Sequence, residues 1–112
     1  MTALETAPEF DAEVMAELED LFGRPRLLEL LGALDQEIAA RLDPPSGDRA
    51  QLARDAHVLV SSSGALAFSS LSQACARLEH ACLREADVED ALSDVLADAA
   101  RARTAIAVLR AA

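Results

Sequence analysis

The chain has 112 residues, 52% of them apolar, which is enough for one buried core but leaves no room for a second catalytic domain. It has no Trp, no Tyr and only three Phe, and Ala and Leu are abundant, so the composition favours packed helices over a β-sandwich. Twenty acidic against ten basic side chains give a net charge of −10, a field that repels nucleic acid phosphates and anionic membrane surfaces, so neither is expected as a partner. No apolar run approaches the roughly 20 residues needed to span a bilayer, and the segment after Met1 lacks a basic region followed by an apolar stretch. A cytoplasmic protein is expected.

Residues 1 to 8 are poor in large apolar groups and end in Pro8, which predicts a flexible N-terminus ahead of a single domain over residues 9 to 112. From Glu9 the sequence becomes periodic. Phe10, Val14, Leu18 and Leu21 recur every three or four residues, predicting one apolar helical face that ends near Gly23. Pro25 suits the first turn of a second helix, where its missing N–H has no intrahelical partner, and Leu27, Leu31, Leu34, Ile38 and Leu42 form that helix's stripe.

The run Pro44-Pro45-Ser46-Gly47 breaks the pattern, because neither proline can sit inside a helix without losing a hydrogen bond. Asp48 or Ser46 can cap a third helix, whose stripe of Leu52, Ala56, Leu59, Ser63 and Leu66 leaves His57 to one side, with a bend expected near Gly64. A fourth helix is predicted from about Ser70 to Glu85, with Leu71, Cys75, Leu78 and Cys82 facing inward. Asp87 is expected to open the last helix by accepting from the N–H of Asp90. Val88, Leu92, Val95, Ala99, Ala102, Ile106 and Leu109 then keep the spacing to the end.

These elements predict an all-α fold, an antiparallel four-helix bundle with an additional short N-terminal helix covering one end. Cys75 and Cys82 lie seven residues apart on one helix, about 10 Å between Cα atoms, which is beyond disulfide range. Together with His80 they present no recognised ligand spacing and no fourth ligand. Buried thiols and a solvent-facing histidine are therefore expected, with no metal site. The sequence contains neither a phosphate-binding glycine loop nor a dinucleotide fingerprint.

The stretch Ala56-His57-Val58-Leu59-Val60-Ser61-Ser62-Ser63-Gly64-Ala65-Leu66-Ala67 resembles the histidine phosphotransfer (HPt) signature A-H-x-L-K-G-S-x-G-x-L-G, and Leu71, Cys75 and Leu78-Glu79 look like the helix L-x-x-x-C-x-x-L-E that follows it. The resemblance implies that His57 is a phosphoacceptor in a phosphorelay, a protein without its own ATP-dependent kinase activity. It also implies response-regulator receiver domains and a hybrid histidine kinase as partners. No cofactor is expected on this chain, and Mg²⁺ is expected on the receiver.

The sequence departs from the signature at three places. Val60 stands where lysine is usual, and Ser61 and Ala67 where glycine is usual. Arg54, one turn before His57, is expected to supply the positive charge that valine lacks, and Ser61, one turn after, a hydroxyl for the phosphoryl oxygens. Small neighbours, Ala50, Ala53, Val60 and Gly64, are expected to let a partner close over the imidazole. An unperturbed imidazole with a pKa of about 6.5 is mostly neutral at neutral pH, which is the form such chemistry needs. Two other readings remain open. The first is a phosphorylation-inactive adaptor or inhibitor of a receiver or kinase, favoured by Val60. The second is a structural bundle that associates through Val58 and Phe68 where these are exposed. A monomer is expected.

Overall fold

The computed structural model describes residues 9–112; the segment 1–8 lies outside the described residues, and so does its expected flexibility. Five helices follow in order: α1 (Ala12–Phe22), α2 (Arg24–Leu42), α3 (Arg49–Ala65), α4 (Ser69–Leu83) and α5 (Glu89–Ala111). There is no strand among the described residues, only an isolated bridge between Leu42 and Pro45. Helices α2 to α5 form a closed ring, α2 against α3 and α5, and α4 against α3 and α5, while α1 packs on α2. Short links make consecutive members of the ring antiparallel.

Local chemistry sets most boundaries where the spacing predicts them. Asp48 caps α3 by accepting from the N–H of Gln51 at 3.2 Å, and the Ser46 hydroxyl accepts from the N–H of Asp48 at 3.0 Å, so both candidate caps act in one turn. Gly23 is the last link of α1 and the first of α2; its φ of 80° is cheap only for glycine, and Pro25 occupies the first turn of α2. Two start sites differ from expectation. Phe10 precedes α1, because Asp11 takes the cap position and accepts from the N–H groups of Glu13 and Val14. The Asp87 carboxylate accepts from the N–H of Glu89 at 2.9 Å rather than that of Asp90, so α5 begins at Glu89.

The core is the set of stripes brought together. Leu27, Leu31, Leu34, Ile38 and Leu42 meet Leu52, Ala56 and Leu59 on one side and Val95, Ala99, Ala102 and Ile106 on the other, with Leu71, Cys75, Leu78 and Cys82 closing the ring. Ser63 keeps its place in this apolar stripe by donating its hydroxyl to the carbonyl of Leu59 one turn back. Two expectations are corrected. Leu21 is not on the buried face of α1 but 74% exposed, and Met15 is that helix's buried residue. Phe68 is fully buried at the α3–α4 corner, where its ring meets Phe10 edge to face at 5.7 Å, so it cannot serve as a sticky surface group.

The same corner shows what one departure from the signature costs. Ala67 adopts φ 76°, a left-handed conformation that glycine accepts freely and that costs an L-residue about 1–2 kcal/mol. Its carbonyl accepts from the N–H of Asp11 at 2.8 Å, which ties the start of α1 to the corner.

Both cysteines are free and buried. Burial, with a smaller contribution from Asp98, pushes the Cys75 thiol from 9.0 up to about 12, and burial raises Cys82 as well. A raised thiol pKa favours the neutral form, so its contribution to stability is intact below pH 9 and is lost between pH 9 and about 12, where only the unfolded thiol ionises. Stability to urea should therefore fall across that window, with a shallower fall in Cys75→Ala, and neither thiol should react with a thiol reagent at pH 8 until denaturant is added. Phe68→Ala should cost about 3–5 kcal/mol in the same urea titration; a loss below 1 kcal/mol would show that the corner is not packed as described.

Candidate functional site

His57 sits near the middle of α3, on the side turned away from Leu52, Ala56 and Leu59. The apolar three-four repeat commits those residues to the core and leaves the imidazole 72% exposed. Across from it, Glu79 projects from α4 one residue after the buried Leu78, and its Oε2 lies 2.9 Å from His57 Nδ1. The carboxylate is only 25% exposed and the ring mostly open, so the contact pins one edge of the imidazole and leaves the other to solvent. An ionised carboxylate can only accept, so the hydrogen of this bond is on Nδ1. In the neutral ring that leaves the lone pair on Nε2, the nitrogen not engaged by Glu79.

Two further crossings hold α3 and α4 in the register that this pair requires. The Ser72 hydroxyl donates to the carbonyl of Val60 at 2.8 Å, and a Cβ at Gly64 would lie 3.2 Å from the Ser72 oxygen. Glycine at 64 is thus what admits Ser72 against α3. At the other end of the pair, Arg49 donates through Nε to the carbonyl of Cys82 at 3.1 Å and through Nη2 to that of Ala81 at 3.0 Å, and it also reaches the carbonyl of Ala86. The Ala81 and Cys82 carbonyls lie at the C-terminus of α4, where a cation also complements the helix dipole.

The expected site residues divide into two groups. Ala50, Ala53, Arg54, His57 and Val58 of α3, with Glu79 and Leu83 of α4, line one open cavity of about 570 Å³ beside the imidazole. Within it Ala53 is buried and forms part of the floor, while Arg54 is exposed and donates to Gln51 Oε1 at 2.8 Å. Ser61 is exposed one turn beyond His57. Val60 and Gly64 are not among the lining residues. Val60 is half-buried against the core, and Gly64, although exposed, borders Ser72.

Two contributors escaped the sequence reading. Glu79 stands in the L-E pair of the fourth helix, but nothing along the chain shows that it reaches a side chain 22 residues earlier. Leu83, 68% exposed at the cavity edge, breaks the inward stripe and reads as a surface residue of the last turn. His80 is exposed and lies 3.4 Å from Arg84. Among the described residues no group of three or more His, Cys, Asp or Glu side chains is placed to hold a metal ion, and no helix is long and apolar enough to cross a membrane.

Fold and site together define a helical-bundle protein that presents one histidine, oriented by a carboxylate, on the open face of its third helix. The Hpt domain model matches residues 12–112, and the chain belongs to that family. Membership supports a histidine phosphotransfer role in two-component signalling, and Hpt domains interact with receiver domains and kinases in phosphorelays. Comparison with curated proteins and with solved structures returned no match.

The pairing of His57 with Glu79 has a direct spectroscopic consequence. In the wild type at pH 8.5, ¹⁵N shifts of the imidazole should report a protonated Nδ1 and an unprotonated Nε2. Glu79→Ala should move a substantial fraction of the ring to the other tautomer. An unchanged spectrum would remove Glu79 from the site.

Proposed function

We propose that the protein is a phosphorelay intermediate whose His57 Nε2 takes a phosphoryl group from the aspartyl phosphate of one receiver domain and passes it to the aspartate of another. The observation that carries this reading is the largely exposed imidazole of His57, held through Nδ1 by Glu79. In the forward step the Nε2–P bond forms as the P–O bond to the donor aspartate breaks, and the aspartate leaves as a carboxylate. The ring keeps its Nδ1 proton throughout and becomes a phosphorylated imidazolium, whose positive charge lies 2.9 Å from the Glu79 carboxylate. Return of the electron pair to nitrogen regenerates the neutral ring when the second receiver takes the phosphoryl group. Mg²⁺ belongs to the receiver in this reading.

Arg54 and Ser61 flank the imidazole one turn to either side and on the same side of α3, where both can reach phosphoryl oxygens. The arginine stands in for the usual lysine, whose position in α3 is taken by the half-buried Val60. Ala50 and Ala53 keep the approach low, because neither side chain extends past its β-carbon. A second reading, a phosphorylation-inactive adaptor that binds a receiver or a kinase, draws on Val60, a side chain that neither donates a hydrogen bond nor balances charge.

Incubation with a phosphorylated receiver domain and Mg²⁺ separates the two. The relay reading expects acid-labile, alkali-stable label on the wild type and none on His57→Gln, whereas binding without label selects the adaptor. Arg54→Ala should slow transfer about tenfold with the fold intact, the effect of losing one charge-assisted hydrogen bond of about 1.5 kcal/mol. A transfer rate equal to that of the wild type would take Arg54 out of the site.

A further inference from the structure

Among the described residues two polar side chains are buried, Ser63 and Asp55. Ser63 is satisfied within its own helix, whereas Asp55 carries a carboxylate only 5% exposed, and an ionised group at that depth requires partners. Arg41 of α2 donates to Asp55 Oδ1 through Nη1 at 2.8 Å. The side-chain amide of Gln51, one turn earlier on α3, donates to the same oxygen through Nε2 at 2.9 Å. Glu37 of α2 backs the arginine, with Oε2 3.5 Å from Arg41 Nε.

The contacts continue past the carboxylate to the face that bears His57. Gln51 Oε1 accepts from Arg54 Nη2 at 2.8 Å. Glu37, Arg41, Asp55 and Gln51 line a polar cavity of about 710 Å³ on the α2–α3 side, while Arg54 lines the cavity beside the imidazole. Gln51 therefore bridges the two across the outer ridge of α3. Its direction is fixed by its neighbours, because a carboxylate can only accept and a guanidinium can only donate. The amide must turn its NH₂ to Asp55 and its oxygen to Arg54. The reverse orientation would set donor against donor at one end and acceptor against acceptor at the other. A buried ion pair tied to a second helix thus holds the acceptor to which Arg54 is attached.

This matters because Arg54 is the cation near His57, where Val60 supplies none. An exposed arginine gives up rotamer freedom when it closes on an anion, and that loss is subtracted from the interaction it makes. One N–H already given to a fixed acceptor removes part of that freedom in advance, and a guanidinium with five N–H groups keeps others for phosphoryl oxygens. We propose that Gln51 is a positioning residue for phosphoryl transfer, held by the buried Asp55–Arg41 pair and acting through Arg54, so that the cation meets the phosphoryl group on His57 already ordered. The inference rests on the phosphotransfer reading and deepens it.

Gln51→Met removes the amide at nearly constant length. The backbone N–H of residue 51 still caps α3 through Asp48, and Asp55 keeps Arg41, so the fold is preserved, with an unchanged urea midpoint as the check. Phosphoramidate, a phosphoryl donor with no protein surface, confines the readout to the imidazole and its neighbours. At saturating donor, acid-labile label should form about threefold more slowly on Gln51→Met, the effect of one long side chain left to be ordered, and about tenfold more slowly on Arg54→Ala. The double variant Gln51→Met/Arg54→Ala should match Arg54→Ala alone, because Gln51 has nothing left to act through. The ¹⁵Nε–¹Hε heteronuclear NOE of Arg54 should fall in Gln51→Met, a change that a role in stability alone would not produce. Labelling of Gln51→Met at the wild-type rate, a further threefold loss in the Arg54→Ala background, or an unchanged NOE would each overturn the proposal. Wild-type labelling of Arg54→Ala would overturn it too, by removing the residue it acts through. Absence of label on the wild type would instead overturn the phosphotransfer reading beneath it, and the NOE would still decide whether Gln51 orders the guanidinium.

Discussion

The close, fixed approach of α3 to α4 is the constraint on which the site depends. It begins with small residues: Ala56 and Ser63 on one helix and Ala74 and Cys75 on the other are all buried, and Gly64 presents no side chain to Ser72. Polar crossings then fix the register along the pair, Arg49 at the end of α4, His57 with Glu79 in the middle, and Ser72 with Val60 at the far end. These crossings run in opposite chain order on the two helices, as antiparallel packing demands. A slide of one turn, about 5.4 Å, would carry Glu79 out of reach of the imidazole and break all of them together.

That register converts an ordinary surface histidine into an oriented one. An exposed side chain rotates among its staggered wells and exchanges its proton between two nitrogens, and either freedom dilutes the reactive form. Glu79 restricts both at once, because it is itself three-quarters buried and stands on a helix whose inner face is fully packed. In the relay reading proposed above, the chain's contribution to phosphoryl transfer is positioning and one countercharge, which suits chemistry governed by positioning and electrostatics more than by covalent help from the carrier.

The surface complements this division of labour. The cavity beside His57 is lined by Ala50, Ala53, Val58 and Leu83 with Arg54 and Glu79, while Leu21 and Phe22 stand at a groove between α1 and α2 within an acidic surround. The substitution of Val60 for lysine fits the same economy, since the half-buried valine adds to the core while Arg54 keeps a positive charge near the histidine.

Much of this was legible in the chain itself. Apolar residues every three or four positions determined that there are helices and which face of each is buried, because a helix with one apolar stripe has only one way to hide it; Pro25, the Pro44-Pro45 turn and Asp48 marked where helices start and stop through local backbone chemistry. The resemblance around His57 singled out the histidine. Periodicity could not show what lies opposite. Leu21 shares the spacing of Leu18 yet stays in water, because α1 ends at Gly23 and no helix among the described residues covers that side. Gly64 reads as a bend and proves to be the gap that receives Ser72. Glu79 reads as a charged surface residue and becomes the partner of His57 only when α3 and α4 pack side by side. The sequence by itself determined the helices, their inward faces and the candidate phosphoacceptor, all of which follow from interactions within a few residues. The orientation of the imidazole and the open groove were decided by tertiary structure alone, because each arises between helices, from a packing register that no single segment contains.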